Sequence, residues 1–339
     1  MVKEEIRIEK VIVHILDSMV GMPVLSDTEI DFGSDFADFL KEHIYKVSAG
    51  DDVRTCHFYE KESDVYQMLL EYSDDKFIEM SKHLAESLYK IMNSNVDIPS
   101  ADLAIVRFKD RDEEYLGILK INLRSNYTHR TAAVGDGNAN EIVKFKAVFP
   151  SESQRLTEAA IIRLKDFQVR LVEKKYTIND EKVNYFSYLF LKCNSSLSPK
   201  TKLNLVTKAI EKVQDDNLDE YKVTEAKMRA KCIIQEELER NGGFVVEDLA
   251  DKVFEEEPDM RNAFQEKMEK YDMVKQEVIP QNETTVRKYQ KQCLYTDTGI
   301  EIKIPMDRYK DSDSVEFITN PDGTISVLIK NIGHLEAKY

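Results

Sequence analysis

Hydrophobic and polar positions follow two different periods along the chain. In residues 5–16 the apolar side chains loosely alternate with polar ones, which predicts a β-strand. In residues 34–50 and 73–91 they recur every three or four positions, which predicts amphipathic helices that begin near Ser34 and Ser73. A shorter helix is predicted after Ser63, because serine is a favoured N-cap residue.

The strand pattern dominates between residues 100 and 176. Short β-rich runs separated by turn residues are typical of an antiparallel sheet. These runs span residues 103–108, 115–123, 142–149, 159–165 and 167–176. The stretch from Ala132 to Glu141 contains two glycines and is predicted to be an exposed loop.

Helical spacing resumes at residue 183. Ser198 followed by Pro199 indicates a helix start, because serine caps the helix and proline fits its first turn. A later helix is expected to end at Asn241-Gly242-Gly243, where glycine can adopt the left-handed conformation. The final residues contain paired strand runs, the last pair around the turn Asn320-Pro321-Asp322-Gly323.

These patterns predict an α+β fold. N-terminal helices and a largely antiparallel sheet are followed by a helical segment and a small C-terminal β-sheet. A chain of 339 residues is long for one domain. We therefore expect an α+β N-terminal domain at residues 1–178 and a helical plus β-hairpin C-terminal domain at residues 179–339.

The charge distribution limits where nucleic acid could bind. The net charge of −15 argues against a protein that simply coats DNA, because phosphate binding needs a basic surface. The charge is uneven, however. Residues 1–99 carry 10 basic and 21 acidic side chains, whereas residues 100–175 carry 14 and 11. Any nucleic-acid surface is therefore expected in the middle of the chain.

The sequence lacks the common motifs of catalysis and cofactor binding. It has no glycine-rich phosphate loop, no H-E-x-x-H zinc motif and no G-x-S-x-G elbow, so we expect no cofactor, no metal and no catalytic residues. The four cysteines are far apart and are predicted to be free, buried thiols. With neither a signal peptide nor a membrane span recognisable, a cytoplasmic location is expected and no membrane partner.

The order of several segments resembles the bacterial nucleoid-associated NdpA/YejK family. Near the start, the resemblance is carried by IEKVIVHILD, GMPVLSDTEIDF and FADFLKEHIYKV. Further along, it is carried by YLGILKINLRSNYTHR, QRLTEAAIIRLKDFQVRLVEKK, NYFSYLFLKCNSSLSPK and DGTISVLIKN. The resemblance is collinear and covers nearly the whole chain. It implies nucleoid association and DNA binding without known enzymatic activity.

The basic residues of the middle of the chain are the candidate DNA contacts. Arg124, Tyr127, His129 and Arg130 form the most interesting group, because they combine donors for phosphate oxygens with an aromatic ring that could stack. An ordinary exposed loop or charged surface is the competing interpretation. The full set is Arg124, Arg130, Arg155, Arg163, Arg170, Lys174, Lys175, Lys200, Lys202 and Lys208.

Three functions remain open at this stage. The favoured one is a nucleoid-associated, non-enzymatic protein that binds double-stranded DNA largely without sequence specificity, expected to be a homodimer. The second is an interaction module that reaches the nucleoid through other nucleoid proteins and uses its acidic N-terminal half. The third is a metal-dependent nuclease that uses Asp31, Asp35 and Asp38, or Asp51 and Asp52, to hold Mg²⁺. It is weaker, because these carboxylates are also typical of a solvated acidic face.

Overall fold

The computed structural model describes every residue except 19, 310, 312, 322, 323 and 337–339. The chain forms two compact units, residues 1–197 and 198–339. A large antiparallel sheet with helices makes up the first unit, and helices with small hairpins make up the second, which confirms the α+β class. The predicted turn at Asp322-Gly323 lies outside the described residues.

The first unit contains three α-helices and eleven strands among its described residues. In chain order they are β1 (Ile6–Leu16), α1 (Ser34–Ala49), β2 (Arg54–Phe58), α2 (Asp64–Leu70), α3 (Phe77–Asn93), β3 (Ala101–Asp110), β4 (Glu113–Asn122), β5 (Arg124–Val134), β6 (Gly137–Val148), β7 (Glu158–Arg163), β8 (Val169–Val172), β9 (Tyr176–Ile178), β10 (Glu181–Val183) and β11 (Cys193–Ser195). A single π-helical segment, Phe186–Leu191, precedes β11.

Seven of these strands form one antiparallel sheet in the order β1-β3-β4-β7-β8-β2-β11. Hydrophobic side chains cover both of its faces. Leu103 and Ile105 of β3 pack in one core with Leu84 and Leu88 of α3. On the opposite face, Ala104, Val106 and Phe108 pack in a second core with Leu40 and Ile44 of α1. Burial on both faces explains why β3 reads as a nearly continuous apolar run.

The N-cap of α1 lies one residue before the predicted cap, Ser34. Helix α3 begins after its predicted cap, Ser73. Gly33, not Ser34, is the N-cap of α1. Ser73 precedes a short 3₁₀ turn, and α3 itself begins at Phe77. The prediction for Ser63 is confirmed, because its hydroxyl accepts the Tyr66 backbone N–H at 3.1 Å.

The prediction of an exposed loop at residues 132–141 was wrong. Strands β5 and β6 continue through this stretch and leave only Gly135 and Asp136 between them, with Gly135 at a φ of 57°. The side chains of both strands are mostly exposed on either face, so the sequence lacks the alternation of a half-buried strand.

Residues 179–197 belong to the first compact unit. Phe186, Phe190 and Leu191 of the π-helical segment are buried in the core beneath α3. Strand β11 pairs with β2 at the edge of the seven-stranded sheet. The two compact units divide between Leu197 and Ser198.

The described part of the second unit contains a group of helices and several short strands. Its elements are α4 (Pro199–Asn217), α5 (Glu220–Asn241), β12 (Phe244–Val245), α6 (Val246–Val253), α7 (Pro258–Glu269), β13 (Glu277–Val278), α8 (Glu283–Arg287), β14 (Lys291–Tyr295), β15 (Glu301–Pro305), α9 (Met306–Tyr309), β16 (Val315–Thr319) and β17 (Ile325–Ile329). Strands β14–β15 and β16–β17 are hairpins, and β12 and β13 form a separate antiparallel pair.

The ends of α4 and α5 follow the sequence signals. Ser198 caps α4, since its hydroxyl accepts the Thr201 backbone N–H at 3.3 Å, and Pro199 is the first helical residue. Gly242 ends α5 in the left-handed conformation with a φ of 71°. Of the cysteines, Cys56, Cys193 and Cys232 are buried thiols as predicted, whereas Cys293 is exposed.

Candidate nucleic-acid interface

The β5–β6 hairpin projects from the main sheet without joining it. Strands β4 and β7 pair directly with each other, and the hairpin lies in the chain between them as a separate two-stranded ribbon. It runs from Arg124, opposite Val148, to Val134, opposite Gly137. Most side chains of the ribbon are exposed, so they are available to a partner. A ribbon with solvent on both faces is also only marginally stable by itself.

One face of the hairpin combines aromatic, aliphatic and basic side chains. Tyr127 lies opposite Lys144, whose Nζ is 5.7 Å from the centre of the tyrosine ring. His129 and Ile142 are the next cross-strand pair on the same face. The exposed fractions of Tyr127 and Ile142 are 66% and 73%. This face therefore presents a flat aromatic surface beside a cation.

The other face is closer to neutral. Arg130 and Glu141 are cross-strand partners, and a guanidinium N–H of Arg130 donates to Oε2 of Glu141 at 2.8 Å. Phe145 lies opposite Asn126 with an exposed fraction of 55%. The internal ion pair of Arg130 leaves this face with little net charge of its own.

The hairpin carries four lysine or arginine residues and two carboxylates. Arg130 forms its ion pair with Glu141 of the same hairpin. Among the described residues, Arg124, Lys144 and Lys146 form no ion pair, so their charges remain available to a phosphate group. The hairpin thus has a local excess of positive charge, in contrast to the net charge of −15 of the whole chain.

A buried polar cluster holds the two chain segments from which the hairpin emerges. Lys120 on β4 and Glu158 on β7 are cross-strand partners, with Nζ 3.8 Å from Oε2 and both side chains fully buried. The amide Nδ2 of Asn122 donates to Oε2 of Glu158 at 2.9 Å and to Oγ1 of Thr157 at 2.8 Å. Burial lowers the pKa of Lys120 to about 8, despite the nearby Glu158.

Three of the predicted contact residues outside the hairpin have side-chain or backbone partners within the first unit. Arg155 donates to Asp52 at 2.9 Å, and Arg163 forms two hydrogen bonds with the carboxylate of Asp166. Arg170 donates to the backbone carbonyl of Ser48 at 2.9 Å. These arginines lie outside the hairpin, and the structure does not group them with Arg124 and Arg130.

The remaining predicted residues lie in two places. Lys174 and Lys175 are exposed after β8, with Lys174 Nζ 5.2 Å from the ring centre of Tyr176. Lys200, Lys202 and Lys208 are on α4 in the second unit. Lys200 and Lys208 are exposed, whereas the amine of Lys202 donates to Gln276 Oε1 at 3.0 Å and to the Glu277 carbonyl at 3.2 Å.

The sequence analysis missed Lys144 and Lys146 as contact candidates. Both belong to IVKFKAVF, the run predicted as a strand, where they alternate with Val143 and Phe145. Lysines at every second position, beside exposed apolar residues, are the signal that could have identified them. Among the described residues no three His, Cys, Asp or Glu side chains are grouped as possible metal ligands. No described helix has the length and apolar character needed to span a membrane.

An α+β protein with an exposed, cationic β-ribbon is compatible with nucleic-acid recognition. The sequence model for the nucleoid-associated protein YejK family matches residues 12–335, so the chain belongs to this family. No individual curated protein matches the sequence. Family membership supports a nucleoid-associated role and confirms the resemblance found in the sequence.

Proposed function

We propose that this protein binds double-stranded DNA with little sequence preference, without catalysing a reaction, and that the β5–β6 hairpin is its principal contact. The observation that carries the proposal is the projecting ribbon itself, with Arg124, Lys144 and Lys146 exposed on it. Membership of a nucleoid-associated family supports DNA as the partner.

The dimensions and chemistry of the hairpin suit a DNA groove. The major groove admits a two-stranded β-ribbon, and cations along the ribbon can contact phosphates on either side. Phosphate contacts carry no sequence information, which accounts for the expected lack of specificity. Tyr127 adds a ring that can pack against sugars or an unstacked base.

The acidic remainder of the chain sets the strength of the interaction. Residues 1–99 carry an excess of eleven carboxylates, which repel the DNA backbone. Binding through a few cations against this background is expected to be weak and strongly dependent on salt.

Fluorescence anisotropy with two unrelated duplexes at low salt tests the proposal. The triple variant Arg124→Ala/Lys144→Ala/Lys146→Ala should lose at least about tenfold in affinity for both duplexes, because three phosphate contacts are removed. The double variant Lys61→Ala/Lys90→Ala removes exposed cations from the acidic region and should bind like the unmodified protein. Unchanged binding by the triple variant would show that the hairpin is not the contact.

A second function is favoured by the apolar side chains of the hairpin. Tyr127, Ile142 and Phe145 are exposed on its two faces, and large exposed apolar side chains are common at protein interfaces. The hairpin could thus join two copies of the chain, or bind another nucleoid protein that carries this one to DNA. Sedimentation equilibrium of Ile142→Ser/Phe145→Ser tests the homodimer, since a hairpin-mediated dimer would become a monomer. A hairpin that binds only DNA or another protein would leave the mass unchanged.

A further inference from the structure

The second unit contains a cavity of about 330 Å³ between α4, α5 and the segment at residues 283–292. Leu203 and Ile210 of α4 and Ala230 and Ile234 of α5 form its apolar wall. All four are buried in the unit. The volume falls within the usual range for small-molecule sites, which are mostly apolar with a few placed polar groups.

Polar groups are placed on this apolar wall. The hydroxyls of Thr207 and Tyr289 are 2.9 Å apart, and both residues line the cavity. Gln214, with an exposed fraction of only 3%, also lines it, and its Oε1 has no hydrogen-bond partner among the described residues. The same holds for Oε1 of Gln292. Leaving a buried acceptor unsatisfied costs about 1–3 kcal/mol, so these atoms favour a ligand that donates N–H groups.

Lysines dominate the charged lining. Lys200, Lys227, Lys231 and Lys288 line the cavity, with Glu211 the only carboxylate among the lining residues. Lys227 is paired with Asp215 at 2.6 Å. Lys231 is half-buried, and its amine donates to the backbone carbonyl of Lys291 at 2.7 Å. Burial lowers the pKa of Lys231, so an anion placed beside it would offset the desolvation of its ammonium group.

We propose that this cavity binds a nucleoside monophosphate or a closely similar organic anion. The phosphate would lie against Lys231 and the neighbouring lysines. The flat base would pack on Ile210 and Ile234, and an exocyclic amine or ring N–H would donate to the amide oxygen of Gln214 or Gln292. The proposal does not depend on DNA binding, because the cavity lies entirely within the second unit and uses none of the hairpin residues.

The cavity combines lysine cations, an apolar wall and amide oxygens without hydrogen-bond partners among the described residues, which distinguishes it from a cluster of surface lysines. Inorganic phosphate could satisfy the cations alone, and adenosine could satisfy the apolar wall and the amide oxygens alone. Only a ligand that contains both a phosphate and a base contacts the lysines, the apolar wall and the amide oxygens together. AMP should therefore bind more tightly than either fragment.

Isothermal titration calorimetry of the full chain with AMP, adenosine and inorganic phosphate tests the proposal. AMP is expected to bind at one site per chain, at least about tenfold more tightly than phosphate, because it adds the base contacts. Lys231→Met and Gln214→Leu should each weaken AMP binding by about tenfold or more, since each removes a hydrogen-bonding or charged partner without removing bulk. Lys208→Met is the matched control, because Lys208 is exposed on α4 and does not line the cavity.

The outcomes are distinct. Absence of AMP binding by the unmodified protein, or equal affinity for AMP and phosphate, would overturn the proposal. Equal AMP affinity in Lys231→Met, Gln214→Leu and the control would place the ligand elsewhere and overturn it as well. Circular dichroism of each variant shows whether it is folded. If Gln214→Leu is unfolded, Tyr289→Phe replaces it, with a smaller loss of affinity expected.

Discussion

Lys120 and Glu158 form a fully buried ion pair between β4 and β7, the two strands that the β5–β6 hairpin connects. The amine of Lys120 also donates to Oδ1 of Asn122, and Asn122 in turn donates to Glu158. Removing two charges from water is costly. Their mutual attraction and the hydrogen bonds to Oε2 of Glu158 offset part of that cost, whereas Oε1 of Glu158 has no hydrogen-bond partner among the described residues. The pair therefore fixes the relative positions of the two strands from which the hairpin extends.

Loss of either partner should destabilise the first unit strongly. Lys120→Met leaves the Glu158 carboxylate buried without its cation, and we expect a loss of about 3–5 kcal/mol in the free energy of unfolding, measured with urea. The double variant Lys120→Met/Glu158→Leu should recover part of this loss. The exposed pair of Arg155 and Asp52 provides the control, and Asp52→Ala should cost less than about 1 kcal/mol. Equal costs for Lys120→Met and Asp52→Ala would contradict this role.

Two buried histidines should make the protein sensitive to mild acid. The backbone N–H of Ser26 donates to Nδ1 of His14 at 3.0 Å, so Nε2 carries the proton and faces Ser81 Oγ, also at 3.0 Å. Burial lowers the pKa values of His14 and His43 from 6.5 to about 4. The unfolded chain therefore binds protons at a higher pH than the folded chain does, and stability present above pH 6.5 is lost as the pH falls towards 4.

Each histidine should contribute about 1–2 kcal/mol to the loss of stability between pH 7 and pH 5. Urea unfolding at both pH values measures it. His43→Leu should reduce the loss by roughly this amount, because a leucine cannot take up a proton. A His43→Leu variant with the full pH dependence would show that burial does not keep this ring neutral.

The sequence predicts the elements of this fold best where one or both faces are buried. The alternation of β1 and the helical stripe of α3 both reflect side chains that face a core, such as Ile12 and Leu88. The β5–β6 hairpin lacks this constraint, because Tyr127 and Phe145 lie on opposite faces and both are exposed. Its glycines therefore indicated a loop, and the strand pairing became visible only in the structure.

The candidate site was only partly predictable for a related reason. Arg124 and Arg130 were identified from their neighbours in the sequence, but the sequence could not show that Glu141 lies opposite Arg130. Lys120 looks like any charged residue in a strand, yet it is completely buried beside Glu158. Pairing across strands depends on register, and register is set by contacts far apart in the chain.

Gly243 is predicted to be required for the packing of β12 against β13. A Cβ atom at this position would overlap the Val278 carbonyl oxygen and lie 3.1 Å from the Ile279 Cα. Gly243→Ala should therefore shift the β13 backbone and cost about 1–3 kcal/mol. Thermal unfolding measures the effect, with Gly333→Ala as the control, because a Cβ atom there meets no atom within 4 Å. Identical melting curves for the two variants would contradict the close approach.

The salt dependence of DNA binding should report a small number of phosphate contacts. Each contact contributes a slope of about −0.9 in a plot of log K against log salt concentration, so about 3–6 contacts give a slope of roughly −3 to −5. Arg124→Ala/Lys144→Ala should make the slope less steep by about 2, for any duplex sequence. A slope near zero, or one that changes for a single sequence only, would indicate base recognition instead of phosphate binding.

Replacement of the hairpin separates its role in binding from any role in folding. Arg124 and Val148 are cross-strand partners, so an Asn-Gly turn in place of residues 125–147 can connect them as a tight hairpin. The seven-stranded sheet, the Lys120–Glu158 pair and the core contact of Phe149 with Phe39 all remain.

The shortened protein should melt within a few degrees of the complete chain, because the exposed ribbon contributes no residue to either hydrophobic core of the unit. Its affinity for duplex DNA at low salt should fall at least as far as that of the triple variant. A large drop in melting temperature would show that the hairpin supports the fold. Intact DNA binding together with an unchanged melting temperature would move the interface to other cations, with the exposed Lys174 and Lys175 as the next residues to replace.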